Sequence, residues 1–321
     1  YGDEDATDVV VAMGSVSGTV REAVDALRDK GRKVGFLQVH LFRPFSQKHF
    51  LSALPASVRR IAVLDRCKEM GALGEPLYQD VCTVFSGRSD VTVVGGRYGL
   101  SSKDTDPSQI VAVFDNLAAD TPKNSFSIGI VDDVTYRSLP AGVPVAEKAD
   151  TVACKFWGLG SDGTVGANKN TVEIINDHTD NYAQAYFEYD AKKSFGVTKS
   201  HLRVSPAPIT SSYYVKQADF VACHHQSYIG KYDMVGELKI GGTLLLNCTW
   251  SAKELSEKLP ADVRRTLAQK KAKLYIINAT EIASRLGLGS HTNTVLQAAF
   301  FHISSILDED TAIGYMKDAV R

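Results

Sequence analysis

Residues 151–171 read TVACKFWGLGSDGTVGANKNT. An apolar run over 152–157 has the composition of a buried strand. It opens into Gly158, Gly160, Gly163 and Gly166, and these lead into a helical spacing through Val172, Ile174 and Ile175. The segment predicts strand, glycine turn, helix. Glycine lets a backbone turn tightly and come close to a ligand, while the first N–H groups of the new helix and the positive end of its dipole face whatever anion docks there. A phosphate or pyrophosphate suits such a turn; a tight turn that serves only the fold gives the same spacing.

Outward from that stretch, composition narrows the class. A chain of 321 residues is long for one domain and predicts two. With 36 Lys and Arg against 37 Asp and Glu, no basic footprint for nucleic acid or an acidic membrane is present. The apolar share of 44% is that of a soluble globular protein, and no run approaches the roughly 20 apolar residues that span a bilayer. Cys67, Cys82, Cys154, Cys223 and Cys248 are odd in number, scattered and without a CxxC pair. They read as reduced thiols of a cytoplasmic or organelle-matrix protein, with neither a zinc nor an iron–sulfur spacing. The first residue is Tyr1 and no signal segment follows, which predicts a piece of something longer.

Before the glycine stretch, strands are predicted at 9–13, 34–42, 61–64 and 91–94, with helices at 19–29, 46–54, 77–85 and, capped by Asp104 or Thr105, up to 117. Alternating strands and helices predict a doubly wound first domain over 1–120. Residues 121–149 carry Pro122, Pro140, Gly142 and Pro144 around one strand-like run, 126–131, and read as a crossover linker with its own strand. The second α/β domain takes 150–321: a second strand at 182–189, a hairpin-like stretch at 196–204, strands at 220–223, 243–246 and 274–277, and helices at 251–259, 262–271, 279–286 and 292–306. The fold class is α/β, two doubly wound domains joined by a crossover segment.

In a dinucleotide fold, an acid at the end of the second strand grips a ribose hydroxyl and a base accommodates an extra phosphate. That tip reads Asp190, Ala191, Lys192, Lys193. The lysines suit a ribose phosphate, as in NADP or coenzyme A; a solvated pair of loop charges is the alternative. Lys169 lies early in the glycine-turn helix, where a cation opposes the dipole unless an anion is near. Ser290-His291-Thr292-Asn293 opens a late helix and reads as a second polar helix start or a plain cap. His224-His225 lacks a matching carboxylate and reads as structural or gating. Asp162-Gly163 with Asn176 and Asn181 mimics a thiamine-diphosphate metal motif, but the asparagines are predicted to fall after the helix, out of reach of a metal. No catalytic set is evident.

GLGSDGTVGANKNT, DHTDNYAQAYFEYDAKKS, HLRVSPAPI, ADFVACHH and KYDM, with RPFS, KEMGALGEPLY, GGRYGL and GIVDDVT in the first half, closely resemble pyruvate:ferredoxin (flavodoxin) oxidoreductase. A close relative of that family reduces NADP through a fused flavin reductase. The resemblance implies a transketolase C-terminal-like domain over 1–120 and a Rossmann-like gamma domain, associated with coenzyme A, over 150–321. It implies that Gly160, Ser161, Asp162, Gly163, Thr164, Lys192 and Asn293 contact coenzyme A. Catalytic and metal-binding residues are expected outside this chain, with thiamine diphosphate, magnesium and the iron–sulfur clusters in other domains. The implied partners are coenzyme A, those other domains, and ferredoxin, flavodoxin or the flavin reductase, in an enzyme that is a homodimer when full length. The resemblance further implies that the first domain supports the thiamine site, with Arg43, Glu69, Glu75 and Arg97 as candidates to face it; plain surface charges are the alternative. Two departures from the usual pattern stand out: Cys67 and Met70 interrupt one string, and His225-Gln226 replace Asn-Pro.

Overall fold

The computed structural model describes residues 1–191, 196–289 and 291–320, the side chains of 319 and 320 excepted. It divides into two compact units, Tyr1–Glu147 with Thr210–Tyr213, and Lys148–Ile209 with Tyr214–Arg321.

The first unit runs β1 (Asp8–Ala12), α1 (Val16–Arg28), β2 (Val34–Gln38), α2 (Gln47–Ala53), β3 (Arg60–Asp65), α3 (Pro76–Val84), β4 (Thr92–Arg97), α4 (Pro107–Ala118) and β5 (Phe126–Ser127). Its sheet is parallel throughout, in the order β2-β1-β3-β4-β5. Side chains alternate across a strand, so β1 sends Val10 and Ala12 into a core beneath α1 and α4, and Val9 and Val11 into another beneath α2 and α3. Burial on both faces is why these strands read as continuous apolar runs. Asp106, rather than Asp104 or Thr105, caps α4, accepting the Ser108 N–H at 3.0 Å. Pro107 at the first helical position suits that cap, because its missing N–H would have had no partner there.

Four residues from late in the chain complete this unit. The Glu22 carboxylate accepts hydrogen bonds from the hydroxyls of Thr210 (3.1 Å), Ser211 (2.6 Å) and Tyr213 (2.7 Å), while Ser212 donates to the Ser15 carbonyl at 2.6 Å. Gly18 makes room for them, since a Cβ there would lie 2.0 Å from the Thr210 carbonyl oxygen.

The second unit comprises β6 (Val152–Leu159), α5 (Thr164–His178), β7 (Tyr182–Tyr189), β8 (Val197–Ser205), β9 (Ala218–Cys223), β10 (Leu238–Asn247), α6 (Leu255–Lys258), α7 (Ala261–Gln269), β11 (Lys273–Ile277), α8 (Ala279–Arg285), α9 (Asn293–Ser304) and α10 (Glu309–Val320). Its sheet runs β11-β10-β9-β6-β8-β7. The first four of these are parallel, and β8 is antiparallel to both neighbours. The hairpin expected over 196–204 is therefore one long strand inserted between β6 and β7. Phe156, Phe220 and Leu245 pack under α5 and α9 on one face, and Val221, Leu244 and Leu246 under α7 on the other. No helix among the described residues is long and apolar enough to cross a membrane.

Candidate functional site

At the carboxyl end of β6 the chain turns through two left-handed residues, Ser161 (φ +76°) and Gly163 (φ +84°). Asp162, between them, ties the turn together: one carboxylate oxygen accepts the Leu159 N–H and the other the Thr164 N–H, each at 2.8 Å. A negative charge at a helix start is favourable on its own account, so part of Asp162 serves the turn itself. The Gly160 N–H donates to the Gly196 carbonyl at 2.7 Å, which pins the turn to the start of β8.

Beside the turn lies a cavity of about 620 Å³. Its floor is the turn and the first residues of α5, and its opposite side is formed by Tyr189, Asp190 and Thr198 at the ends of β7 and β8. Among the described residues no acceptor meets the backbone N–H of Val165 or Gly166, both of which line the cavity. The site thus offers a helix dipole and two unengaged donors to an anion.

Gly160, Ser161, Asp162 and Gly163 all line this cavity, but Thr164 does not. Its side chain is 1% exposed and turns inward, with its Oγ1 2.7 Å from Nδ1 of His224. Asn293 opens α9 against the turn, so close that a Cβ on Gly163 would fall 2.7 Å from its Cγ. Lys192, Lys193 and Ser290 lie outside the described residues. The Lys169 ammonium sits 5.9 Å from the centre of the Phe187 ring, a cation–π contact on the protein itself. Asn176 falls within α5 rather than after it, and holds the Ala183 backbone at 2.6 and 3.0 Å.

His224 belongs to a buried chain of hydrogen bonds that no spacing in the sequence announces. Its backbone N–H donates to Trp157 at 2.9 Å, and its carbonyl accepts from Asn247 at 3.0 Å. Asn247 in turn accepts the Ala279 N–H at 3.0 Å. The starts of α5 and α8 are thereby linked across the carboxyl ends of β6, β9 and β10. Burial pushes the His224 imidazole down to about 4, with Asp162 opposing the shift.

The face of β8 that carries Lys199, His201 and Arg203 is also charged. Contact with His201, and the Lys199 ammonium at 2.9 Å, pull the Glu188 carboxyl down to about 2. Burial lowers His201, whose ring stacks on Tyr214 with centroids 4.5 Å apart. Burial likewise lowers Lys155, which pairs with Glu237. Acid lability follows, and its sign can be worked out for each group. His224 and His201 bind a proton more weakly folded than unfolded, so the stability they allow is full above the ordinary histidine value of about 6.5 and is lost as pH falls, for His224 through about 4. Glu188 adds a loss below about 4.5, running down through about 2. Urea unfolding should show falling midpoints from pH 7 to 4; a flat profile would contradict this assignment.

In the first unit, Glu75 is 1% exposed and ion-paired to Arg97 at 2.5 Å. These two engage each other, so Glu75 is not the plain surface charge that the alternative reading gave it. Arg43 pairs with Asp80 at 2.6 Å.

A strand, a left-handed glycine turn and a helix start opening on a cavity define the second unit as an α/β unit of the strand–turn–helix kind. Residues 153–321 match the family described as pyruvate ferredoxin/flavodoxin oxidoreductase, and residues 6–110 match pyruvate:ferredoxin oxidoreductase core domain II. The chain belongs to the pyruvate ferredoxin/flavodoxin oxidoreductase family. It is 56% identical to the pyruvate:ferredoxin oxidoreductase of Moorella thermoacetica, over 99% of this chain and 27% of that protein. Against the pyruvate-flavodoxin oxidoreductase of Enterobacter agglomerans the identity is 52%, over 100% of this chain and 28% of the relative. The mitochondrial pyruvate dehydrogenase (NADP+) of Euglena gracilis is 50% identical over 95% of this chain and 17% of its own length. The chain therefore spans less than a third of each of these relatives, all three of them named for the oxidation of pyruvate.

Proposed function

We propose that the second unit is the coenzyme A-binding module of an enzyme that oxidatively decarboxylates pyruvate. Pyruvate and coenzyme A give acetyl-CoA, CO2, a proton and two electrons, and the electrons pass to ferredoxin, flavodoxin or NADP. The observation that carries this reading is the cavity at the glycine turn, where Val165 and Gly166 present unengaged N–H groups at the start of a 15-residue helix. These groups, with Gly160, Ser161 and Gly163, would hold the pyrophosphate. Asp162 shapes the turn, Thr164 anchors it to His224, and Asn293 closes against it.

Thiamine diphosphate, magnesium and the iron–sulfur clusters belong to other parts of the full enzyme in this reading. The five cysteines form no disulfide with one another, and among the described residues no group of three or more His, Cys, Asp or Glu side chains could hold a metal ion. The first unit serves as structural support. In this reading the enzyme works in the cytoplasm or an organelle matrix.

Calorimetric titration of the full-length enzyme with coenzyme A and, separately, with NADPH tests the reading. Coenzyme A should bind, and NADPH binding without coenzyme A would defeat it in favour of an NADP-binding module. Lys192, assigned to the 3′-phosphate, supplies a second check. A hydrogen bond to a charged group contributes about 1.5–3 kcal/mol, so Lys192→Ala should weaken coenzyme A by roughly 10- to 150-fold. Dephospho-coenzyme A should respond less to that change. An unaltered affinity in a folded variant would remove Lys192 from the site.

A further inference from the structure

In the antiparallel insertion of β8, Thr198 pairs with Gly158 of β6 on one side and with Tyr189 of β7 on the other. Side chains alternate along a strand, and Leu202 packs in one core with Ile174 and Ile175 of α5, so Thr198 and Ser200 stand on the face that α5 covers. The start of α5 is close by. A Cβ on Gly158 would lie 2.7 Å from Thr164 Oγ1, and Thr198 itself lines the cavity beside the glycine turn.

The Thr198 side chain is 7% exposed, and its Oγ1 is shielded from solvent without meeting a hydrogen-bond partner among the described residues. Buried polar atoms are matched in the great majority of folded proteins, so an unmatched hydroxyl is a net cost to the chain that carries it. Ser200 Oγ, two residues deeper and fully buried, also lacks a partner, but Ser200 lines no part of the cavity. Only Thr198 combines the unmatched hydroxyl with a place at the cavity wall.

We propose that Thr198 is a ligand-binding residue of this cavity, its hydroxyl donating to a pyrophosphate oxygen across from the Val165 and Gly166 N–H groups; this rests on the anion-holding role given to the cavity above. Rotation about the Cα–Cβ bond exchanges Oγ1 with the methyl group and leaves the backbone in place. No hydrogen bond opposes that turn, because none holds the hydroxyl. The hydroxyl has one proton to give, and a phosphate oxygen is a charged acceptor for it. The same group is therefore a cost in the free protein and a contact in the complex. Removing it moves stability and affinity in different directions, which a purely structural threonine would not do.

Thr198→Val in the full-length enzyme tests this, because valine keeps the branched shape and loses the hydroxyl. The melting temperature without ligand should stay level or rise. Titration with coenzyme A and with NADPH, both of which carry a pyrophosphate, should show that whichever of them the wild type binds is held at least about 10-fold more weakly by the variant. Thr198→Ser, which keeps the hydroxyl, and Ser200→Ala, which removes the deeper one, should both keep the wild-type affinity. Thr198→Ala takes the place of valine in the titration if the valine variant does not fold. The wild-type titration alone decides between coenzyme A and NADP, whereas the ratio of variant to wild type decides the role of Thr198, so the two readings fail separately. Unchanged affinity without the Thr198 hydroxyl, an equal loss in Ser200→Ala, a valine variant that melts lower without ligand, or a wild type that binds neither molecule overturns the proposal.

Discussion

Replacing Gly163 with valine should abolish coenzyme A binding while leaving the far-ultraviolet circular dichroism of the protein unchanged. Gly163 sits at φ +84°, where a side chain brings a penalty of roughly 1–2 kcal/mol, more for a β-branched residue. Its new Cβ would lie 2.7 Å from Cγ of Asn293, which must then swing away from the turn. Both effects fall on the backbone that presents the Val165 and Gly166 N–H groups. A loss of affinity of at least about 100-fold, or ~2.7 kcal/mol, is expected by titration. Wild-type affinity in the valine variant would show that the ligand does not use the turn.

Gly18→Ala should be the most destabilising small substitution in the first unit. The added methyl, whose position the backbone fixes, would meet the Thr210 carbonyl oxygen at 2.0 Å, and that carbonyl belongs to backbone rather than to a side chain that can rotate away. Overpacking of this kind typically costs about 1–3 kcal/mol, and displacing residues 210–213 would also strip the Glu22 carboxylate of three hydroxyl donors. A loss of about 3 kcal/mol corresponds to a melting temperature lower by roughly 6–12 °C for a unit of this size. Gly166→Ala is the control. It lies in helix α5 with nothing within 4 Å of its Cβ position, so alanine should be neutral or stabilise by roughly 0.5–1 kcal/mol. Equal melting temperatures for Gly18→Ala and wild type would refute the packing account.

The strand–turn–helix over β6 and α5 was legible because glycine spacing and apolar periodicity are local signals, and Gly160 to Gly163 line the cavity as that pattern requires. Strand direction was not legible. Residues 197–205 alternate in polarity whether the strand runs parallel or antiparallel, so neither the insertion of β8 nor the burial of His201 and Arg203 on it could be read. The run 126–131 reduces to the two residues of β5: Ile128 still donates to Arg97 of β4, but the chain turns away at Gly129, which is left-handed at φ +78°. Helix α10 lies beyond the last helix predicted, although Ala312, Tyr315 and Met316 recur within it at helical spacing. The pairing of Glu75 with Arg97 and the link from Thr164 through His224 to Asn247 depend on tertiary proximity alone, and such contacts leave no periodic trace.

The return of Thr210–Tyr213 to the first unit also bears on how the protein is made. On the ribosome, residues 1–147 emerge with the β1–β5 segments complete, yet Glu22 still lacks its hydroxyl partners. Those partners follow only after residues 148–209, at roughly 5–20 residues per second. The amino-terminal half must therefore wait, nearly folded, for a strap synthesised with the carboxyl-terminal half. A chain that ended at Glu147 would never receive it.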